Sequence, residues 1–260
     1  MATSPVIAFA ANKGGVGKTT LSATTAHAFV LAGQKVLAID LDPQGNLSSA
    51  LGADGDAPGF AQVASGSMTL TEVIDTTECG VDLVTPGPDL SAVGQALVTQ
   101  PGGERVLRRA LQSVPDGYDL IIIDTPPDLG RLTLNGVSAA SHVIAVVNPA
   151  RWAAEGGATI GALCTQVREL ELGDPVFLGA VINKVPSGKR LVRDLVLDSL
   201  DEAQVPLFDT RIPQRTALEQ AEFVAAPVTF VDPKGKEAKV FRSFIREIAE
   251  RMSDSEAVAV

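Results

Sequence analysis

The residues with the most chemistry in this sequence lie in one stretch, Asn12-Lys13-Gly14-Gly15-Val16-Gly17-Lys18-Thr19-Thr20, directly after the apolar run Val6-Ile7-Ala8-Phe9-Ala10-Ala11. Three glycines in four positions let backbone N–H groups approach an anion without interference from a Cβ. A helix starting near Thr19 turns its positive end toward the same anion. Lys18 then neutralises charge on a β- or γ-phosphate, and the Thr19 hydroxyl is a ligand for Mg²⁺. The usual phosphate-loop pattern has a glycine five residues before Gly17, where this chain has Asn12, followed by a second lysine, Lys13. A cation on the outer lip cannot readily curl onto phosphates its own loop already cradles, so Lys13 is placed for a nucleotide held by another subunit. A glycine-rich turn without a ligand is the plain alternative, but strand, loop, Gly-Lys-Thr and helix occur in the order a phosphate loop requires.

Three acids belong with that loop. Lys35-Val36-Leu37-Ala38-Ile39-Asp40 is almost wholly apolar up to its acid, as expected of a parallel strand buried on both faces whose carboxyl end meets a ligand. Asp40 and Asp42, two residues apart in extended chain, face one site together. Beside a triphosphate they repel it unless Mg²⁺ or a water to be activated lies between them; without the loop, an Asp-Pro turn with a solvated acid would be the simpler reading. Leu120-Ile121-Ile122-Ile123-Asp124 is the clearest buried strand, and its terminal acid reads as a carboxylate that holds Mg²⁺ through water. The stiff stretch Thr125-Pro126-Pro127-Asp128-Leu129-Gly130 follows and is placed to respond to a γ-phosphate.

The elements that must position these groups alternate. A helix is expected from Thr20 to Leu31 and ends at Gly33; strands are expected at 81–85, 142–148 and 177–182, and helices at 70–74, 103–112 and 155–171. Residues 52–68 read as a surface loop. A last helix, 236–252, carries Val240, Phe241, Phe244, Ile245 and Ile248 on one stripe that packs on the sheet. Strands alternating with helices mean an α/β, doubly wound, mostly parallel sheet with helices on both faces. The 260 residues are expected to form one domain, with 253–260 a disordered tail.

Composition narrows the function. A net charge of −10 argues against a protein that coats nucleic acid through bulk electrostatics. Residues 184–251, however, carry 12 Lys and Arg against 11 Asp and Glu, so an anionic partner docks there if anywhere. No apolar run approaches a membrane span and no basic leader precedes one, so a cytoplasmic protein is expected. Cys79 and Cys164 form no CxxC pair, and His27 and His142 lack ligand-spaced neighbours. Asn183, at the end of a strand, is placed to read an adenine edge; Lys189, Arg190, Arg193 and Arg215 are the candidate cations for nucleic acid.

Lys13 to Thr20, Asp40-Leu41-Asp42-Pro43-Gln44-Gly45-Asn46, Asp124-Thr125-Pro126-Pro127 and Arg211-Ile212-Pro213 resemble, in order and spacing, the ParA-type partition ATPases of the deviant-Walker-A (ParA/MinD) group of P-loop NTPases. The resemblance spans nearly the whole chain and looks like the short form, without an N-terminal helix-turn-helix. It implies a sandwich dimer bridged by ATP. In it Lys13 reaches the partner's phosphates; Lys18 and Thr19, with Gly14, Gly15, Val16, Gly17 and Thr20, hold the subunit's own nucleotide and Mg²⁺; and Asp42 orients the attacking water. Asp40 and Asp124 support the metal and the water network, and Asn183 and Pro213 complete the nucleotide contacts. It further implies slow basal ATP hydrolysis, non-specific DNA binding by the ATP dimer on the nucleoid, and release stimulated by a ParB-like centromere-binding partner. One departure is Ala217, where many relatives carry an arginine used for DNA. Rival readings are a MinD-type regulator on membrane or another protein cargo, disfavoured by the acidic tail 253–260, an ATP-dependent ligase of the same fold, an iron–sulfur carrier, which would need paired cysteines, and a non-enzymatic DNA-binding regulator.

Overall fold

Four strands consist entirely of buried residues: β1 (Val6–Ala10), β2 (Val36–Asp40), β5 (Leu120–Asp124) and β6 (His142–Val147). A strand with no polar face must be covered on both sides, and the alternation of its side chains divides two cores. Val6, Ala8 and Ala10 of β1 and Ile121 and Ile123 of β5 face one core; Ile7, Phe9, Leu120 and Ile122 face the other. With β3 (Ile74–Thr76), β4 (Asp82–Val84) and β7 (Val176–Ile182) they form one seven-stranded sheet in the order β3-β4-β2-β5-β1-β6-β7. All neighbours are parallel except β3, which runs antiparallel to β4 at the edge. The computed structural model describes residues 4–53, 57–114, 116–150, 152–186 and 197–258.

One face is covered by α1 (Lys18–Leu31), α2 (Asn46–Ala50), α9 (Thr216–Phe223), α10 (Val228–Val231) and α11 (Lys236–Val258). The other is covered by α3 (Phe60–Ala64), α4 (Leu90–Thr99), α5 (Val106–Leu111), α6 (Arg131–Ala139), α7 (Ala153–Glu169) and the helical residues 197–202, α8. The chain leaves β1 toward β2 on one side and later crosses back to β6 on the other, so a crevice opens at the carboxyl ends beside β1. Register aligns that crevice: Phe9 pairs with Asp124, and Asp124 with Asp40.

The stripe on α11 packs as expected, with Phe241, Phe244 and Ile248 buried. Three expectations are corrected. Residues 52–68 are not all loop: Phe60 and Ala61 are buried in α3, whose first N–H groups bond to the carbonyls of Thr85 and Pro86. Gly59 lies so close to Thr85 that a Cβ would stand 2.1 Å from its carbonyl oxygen, so this glycine serves helix docking rather than flexibility. The expected helix at 70–74 is a single 3₁₀ turn, Thr71–Val73, running straight into the edge strand β3. The expected tail is helical through Val258, because Ser255 Oγ lies 3.1 Å from His142 Nε2 and ties the last turns to the start of β6. Both cysteines are buried and free, and burial pushes the Cys164 thiol up to about 12. Among the described residues no helix is long and apolar enough to cross a membrane, and no group of His, Cys, Asp or Glu is arranged to hold a metal on its own.

Candidate nucleotide-binding site

The loop after β1 turns on two glycines with positive φ, Gly15 at 75° and Gly17 at 80°, and Gly17 is the residue on which α1 starts. No side chain caps α1, so the amides of its first turn are left to a ligand. They face a cavity of about 360 Å³ lined by residues 13–20 together with Asp42, Asn46, Pro127 and Lys184.

Lys18 lies inside this loop and is 5% exposed. Its Nζ donates to Asp124 Oδ1 at 2.8 Å, the Thr19 hydroxyl donates to Asp124 Oδ2 at 2.7 Å, and the Ser22 hydroxyl donates to Asp124 Oδ1 at 2.8 Å. Three donors therefore converge on one buried carboxylate, which leaves neither of its oxygens without a hydrogen-bond partner. Hard oxygen donors of this kind, hydroxyl beside carboxylate, are what Mg²⁺ takes. The residues thus fit a nucleoside triphosphate with Mg²⁺: the loop for the phosphates, Thr19 and Asp124 for the ion. Ser22 is a member that sequence reasoning missed; the only signal was its place one helical turn beyond Lys18, on the same face.

The two acids of the β2 end separate. Asp42 lines the cavity at 6% exposure, its Oδ1 accepts the Gln44 N–H at 3.0 Å, and burial is the main cause that raises its pKa, while that hydrogen bond and Lys18 oppose the rise. Asp40 is fully buried and does not line the cavity. Its oxygens accept the N–H of Asp42 at 3.1 Å and the N–H and hydroxyl of Ser48 at 2.9 and 3.0 Å. Burial, then the charge of Asp124, raises its pKa to about 7 against those bonds. The expectation that Asp40 faces the site with Asp42 is therefore corrected: after β2 the chain turns, and Asp40 holds the 42–48 turn from beneath.

The end of β7 lies against the loop. Asn183 is 5% exposed; its Nδ2 donates to Val16 O at 2.8 Å and Gly17 O at 3.3 Å, and its Oδ1 accepts the Lys184 N–H at 2.9 Å. The amide nitrogen of the residue expected to read an adenine edge is thus engaged by the loop carbonyls, while its oxygen keeps a second lone pair. Pro213 lies beside it, lining a second, more apolar hollow with Thr20, Leu21, Leu218 and Phe241. Lys13 is exposed on the lip, its Nζ 5.3 Å from the Trp152 ring centre.

Of the cations considered for nucleic acid, Lys189, Arg190 and Arg193 lie outside the described residues. Arg211 donates to the carbonyls of Phe208 and Asp209, and Arg215 is exposed, its Nε 3.9 Å from Glu237. Ala217 is partly buried against the core on the α1 and α11 side of the sheet.

A phosphate loop between the first strand and helix, a lysine on its lip and acids at the ends of β2 and β5 define the chain as a P-loop NTPase of the deviant-Walker-A class. Residues 4–172 match the family model described as an AAA domain. The chain is 32% identical to the chromosome-partitioning ATPase Soj of Treponema pallidum over 94% of its own length and 97% of that protein's. It is 33% identical to the Soj of Thermus thermophilus over 96% and 97%. The chain belongs to the Soj/ParA family within the ParA/MinD group. Among solved structures, cobyrinic acid a,c-diamide synthase from Mycobacterium smegmatis, bound to an ATP analogue and magnesium, is 31% identical with a TM-score of 0.84 and 97% coverage of each chain. The cell division ATPase MinD of Pyrococcus furiosus is 26% identical, with a TM-score of 0.79 over 95% and 99%.

Proposed function

We propose that this protein is an ATP- and Mg²⁺-dependent partitioning ATPase, whose ATP-bound dimer binds DNA without sequence preference and is released by partner-stimulated hydrolysis. The observation that carries this reading is the division of labour between two lysines of one loop. Lys18 is buried against Asp124, while Lys13 is exposed on the lip of the same cavity. A lysine in that outer place suits a nucleotide shared with a second copy. Mg²⁺, when bound, supplies charge neutralisation between the phosphates. The chain's own residues do the rest: Lys18 and the loop amides bind the β- and γ-phosphates, Asp42 orients a water for in-line attack, and Pro127 closes one wall of the cavity. Asp40 acts on Asp42 through the turn it holds, and Pro213 borders the hollow open to the base. The partner expected is a ParB-like centromere-binding protein, and the place of action is the cytoplasm, on the nucleoid when ATP is bound.

The test is size-exclusion chromatography with ATP and Mg²⁺, paired with co-sedimentation on duplex DNA and on anionic vesicles. Asp42→Ala should trap an ATP dimer that stays on DNA; Lys13→Gln should bind ATP as a monomer and miss DNA. A monomeric Asp42→Ala, or its turnover at the wild-type rate, would remove Asp42 from this role. ATP-dependent binding to vesicles and not to DNA would replace partition by a membrane-patterning function.

A further inference from the structure

We infer that Asn183 and Lys184 are positioning residues that set the phosphate loop in its anion-binding form before any ligand arrives. This rests on the nucleotide reading of the site, and it assigns to the end of β7 a task other than reading the base. Three consecutive loop carbonyls are contacted from one side, that of Gly17 also accepting the Leu21 N–H of α1 at 3.1 Å. Lys184 Nζ donates to Gly15 O at 2.9 Å, and Asn183 Nδ2 to Val16 O at 2.8 Å and to Gly17 O at 3.3 Å. In a trans peptide the N–H points opposite to the C=O of the same unit. Carbonyls 15, 16 and 17 drawn toward β7 therefore turn the amides of Val16, Gly17 and Lys18 the other way, toward the phosphate cavity these residues line.

The contact is tight and specific. A Cβ on Gly17 would stand 2.5 Å from Asn183 Nδ2, so the amide lies directly on the loop. Lys184 takes φ of 56°, a left-handed conformation that few non-glycine residues adopt, with its N–H tied to Asn183 Oδ1. Strain held by a hydrogen bond at a ligand site is the mark of a preset geometry. Lys184 also lines both the phosphate cavity and the neighbouring hollow, so it forms the wall between them.

The test separates a loop-holding residue from a base-reading one by removing the base. Calorimetry is run with Mg-ATP and with Mg-tripolyphosphate on wild type, Asn183→Ala, Lys184→Met and Lys184→Arg. Loss of a hydrogen bond that orders the loop should weaken both ligands by the same factor, about tenfold for Asn183→Ala and less for Lys184→Met. Lys184→Arg should recover most of its loss. Amide exchange at Val16 to Lys18 in the ligand-free protein should quicken in the two weakened variants. Lys184 is exposed, so its variants keep the fold even if Asn183→Ala does not. Weakening of ATP alone, with tripolyphosphate unchanged, would show that Asn183 reads the base and overturn the inference; so would unchanged affinity for both. Wild type that binds neither ligand would instead overturn the nucleotide reading itself.

Discussion

Lys18 and Asp124 meet at 2.8 Å with side-chain exposures of 6% and 0%. A charge pair this deep is held by geometry, and breaking it leaves an uncompensated charge in a dry site, at about 3–5 kcal/mol. Lys18→Ala should therefore lose ATP affinity and also melt some 10 °C lower, since each kcal/mol shifts a domain of this size by about 2–4 °C. Lys18→Met with Asp124→Leu should recover most of the melting temperature and none of the ATP binding. Scanning calorimetry together with ATP titration checks both; a single Lys18 variant with unchanged affinity would remove the phosphate-loop reading.

The two left-handed glycines of the loop should respond differently to a methyl group. A Cβ on Gly15 meets nothing within 4 Å, so Gly15→Ala carries only backbone strain, on the order of 1–2 kcal/mol. At Gly17 the same strain is joined by the collision with Asn183. Gly17→Ala should thus weaken ATP at least tenfold more than Gly15→Ala does, and a titration in which the two variants bind alike would contradict the packing described.

The strands beside the site were readable because their signal is local. An aliphatic run that ends in an acid, as at Leu120–Asp124, states both burial on two faces and the position of its carboxylate. The loop itself was readable for the same reason. What escaped depends on contacts between distant segments. Asn183 meets the loop from just past the end of β7, 166 residues beyond Gly17, and no local pattern shows that its amide nitrogen is engaged by loop carbonyls. Asp40 and Asp42 share the spacing of one face, yet the turn at Ser48 draws the first beneath the cavity. Helix α3 hid in a stretch rich in Gly, Ala and Ser, because a glycine that permits close docking looks like one that permits a turn.

His27 joins α1 to α10 through its Nδ1, 2.8 Å from Thr229 Oγ1, and stands edge-on to Phe230. Burial lowers its pKa below the usual 6.5. The unfolded chain therefore takes up this proton before the folded one as pH falls. Its contribution to stability is complete above pH 6.5 and is lost as pH drops through the folded value, at no more than about 1.4 kcal/mol per pH unit. His27→Gln should remove that slope below pH 6.5 in urea titrations. Parallel curves for the variant and wild type would exclude His27 as its source.

Arg215 is the described cation best placed to test DNA binding. Its side chain is 47% exposed, and a separation of 3.9 Å from Glu237 makes a weak, solvent-screened pair. If the proposed ATP dimer places Arg215 on phosphate, each lost contact flattens the plot of log K against log salt by about 0.9, so Arg215→Ala should lower the slope by roughly two in a dimer. Glu237→Gln frees the same arginine from its competitor. It should raise affinity for duplex at low salt while leaving the number of phosphate contacts, and hence the slope, unchanged. Both variants keep Lys18, Asp42 and Lys13, so their ATP-dependent dimerisation should match wild type and isolate the DNA step. Equal slopes for wild type and Arg215→Ala across a salt titration with ATP would take Arg215 out of the interface and leave DNA binding to Lys189, Arg190 and Arg193.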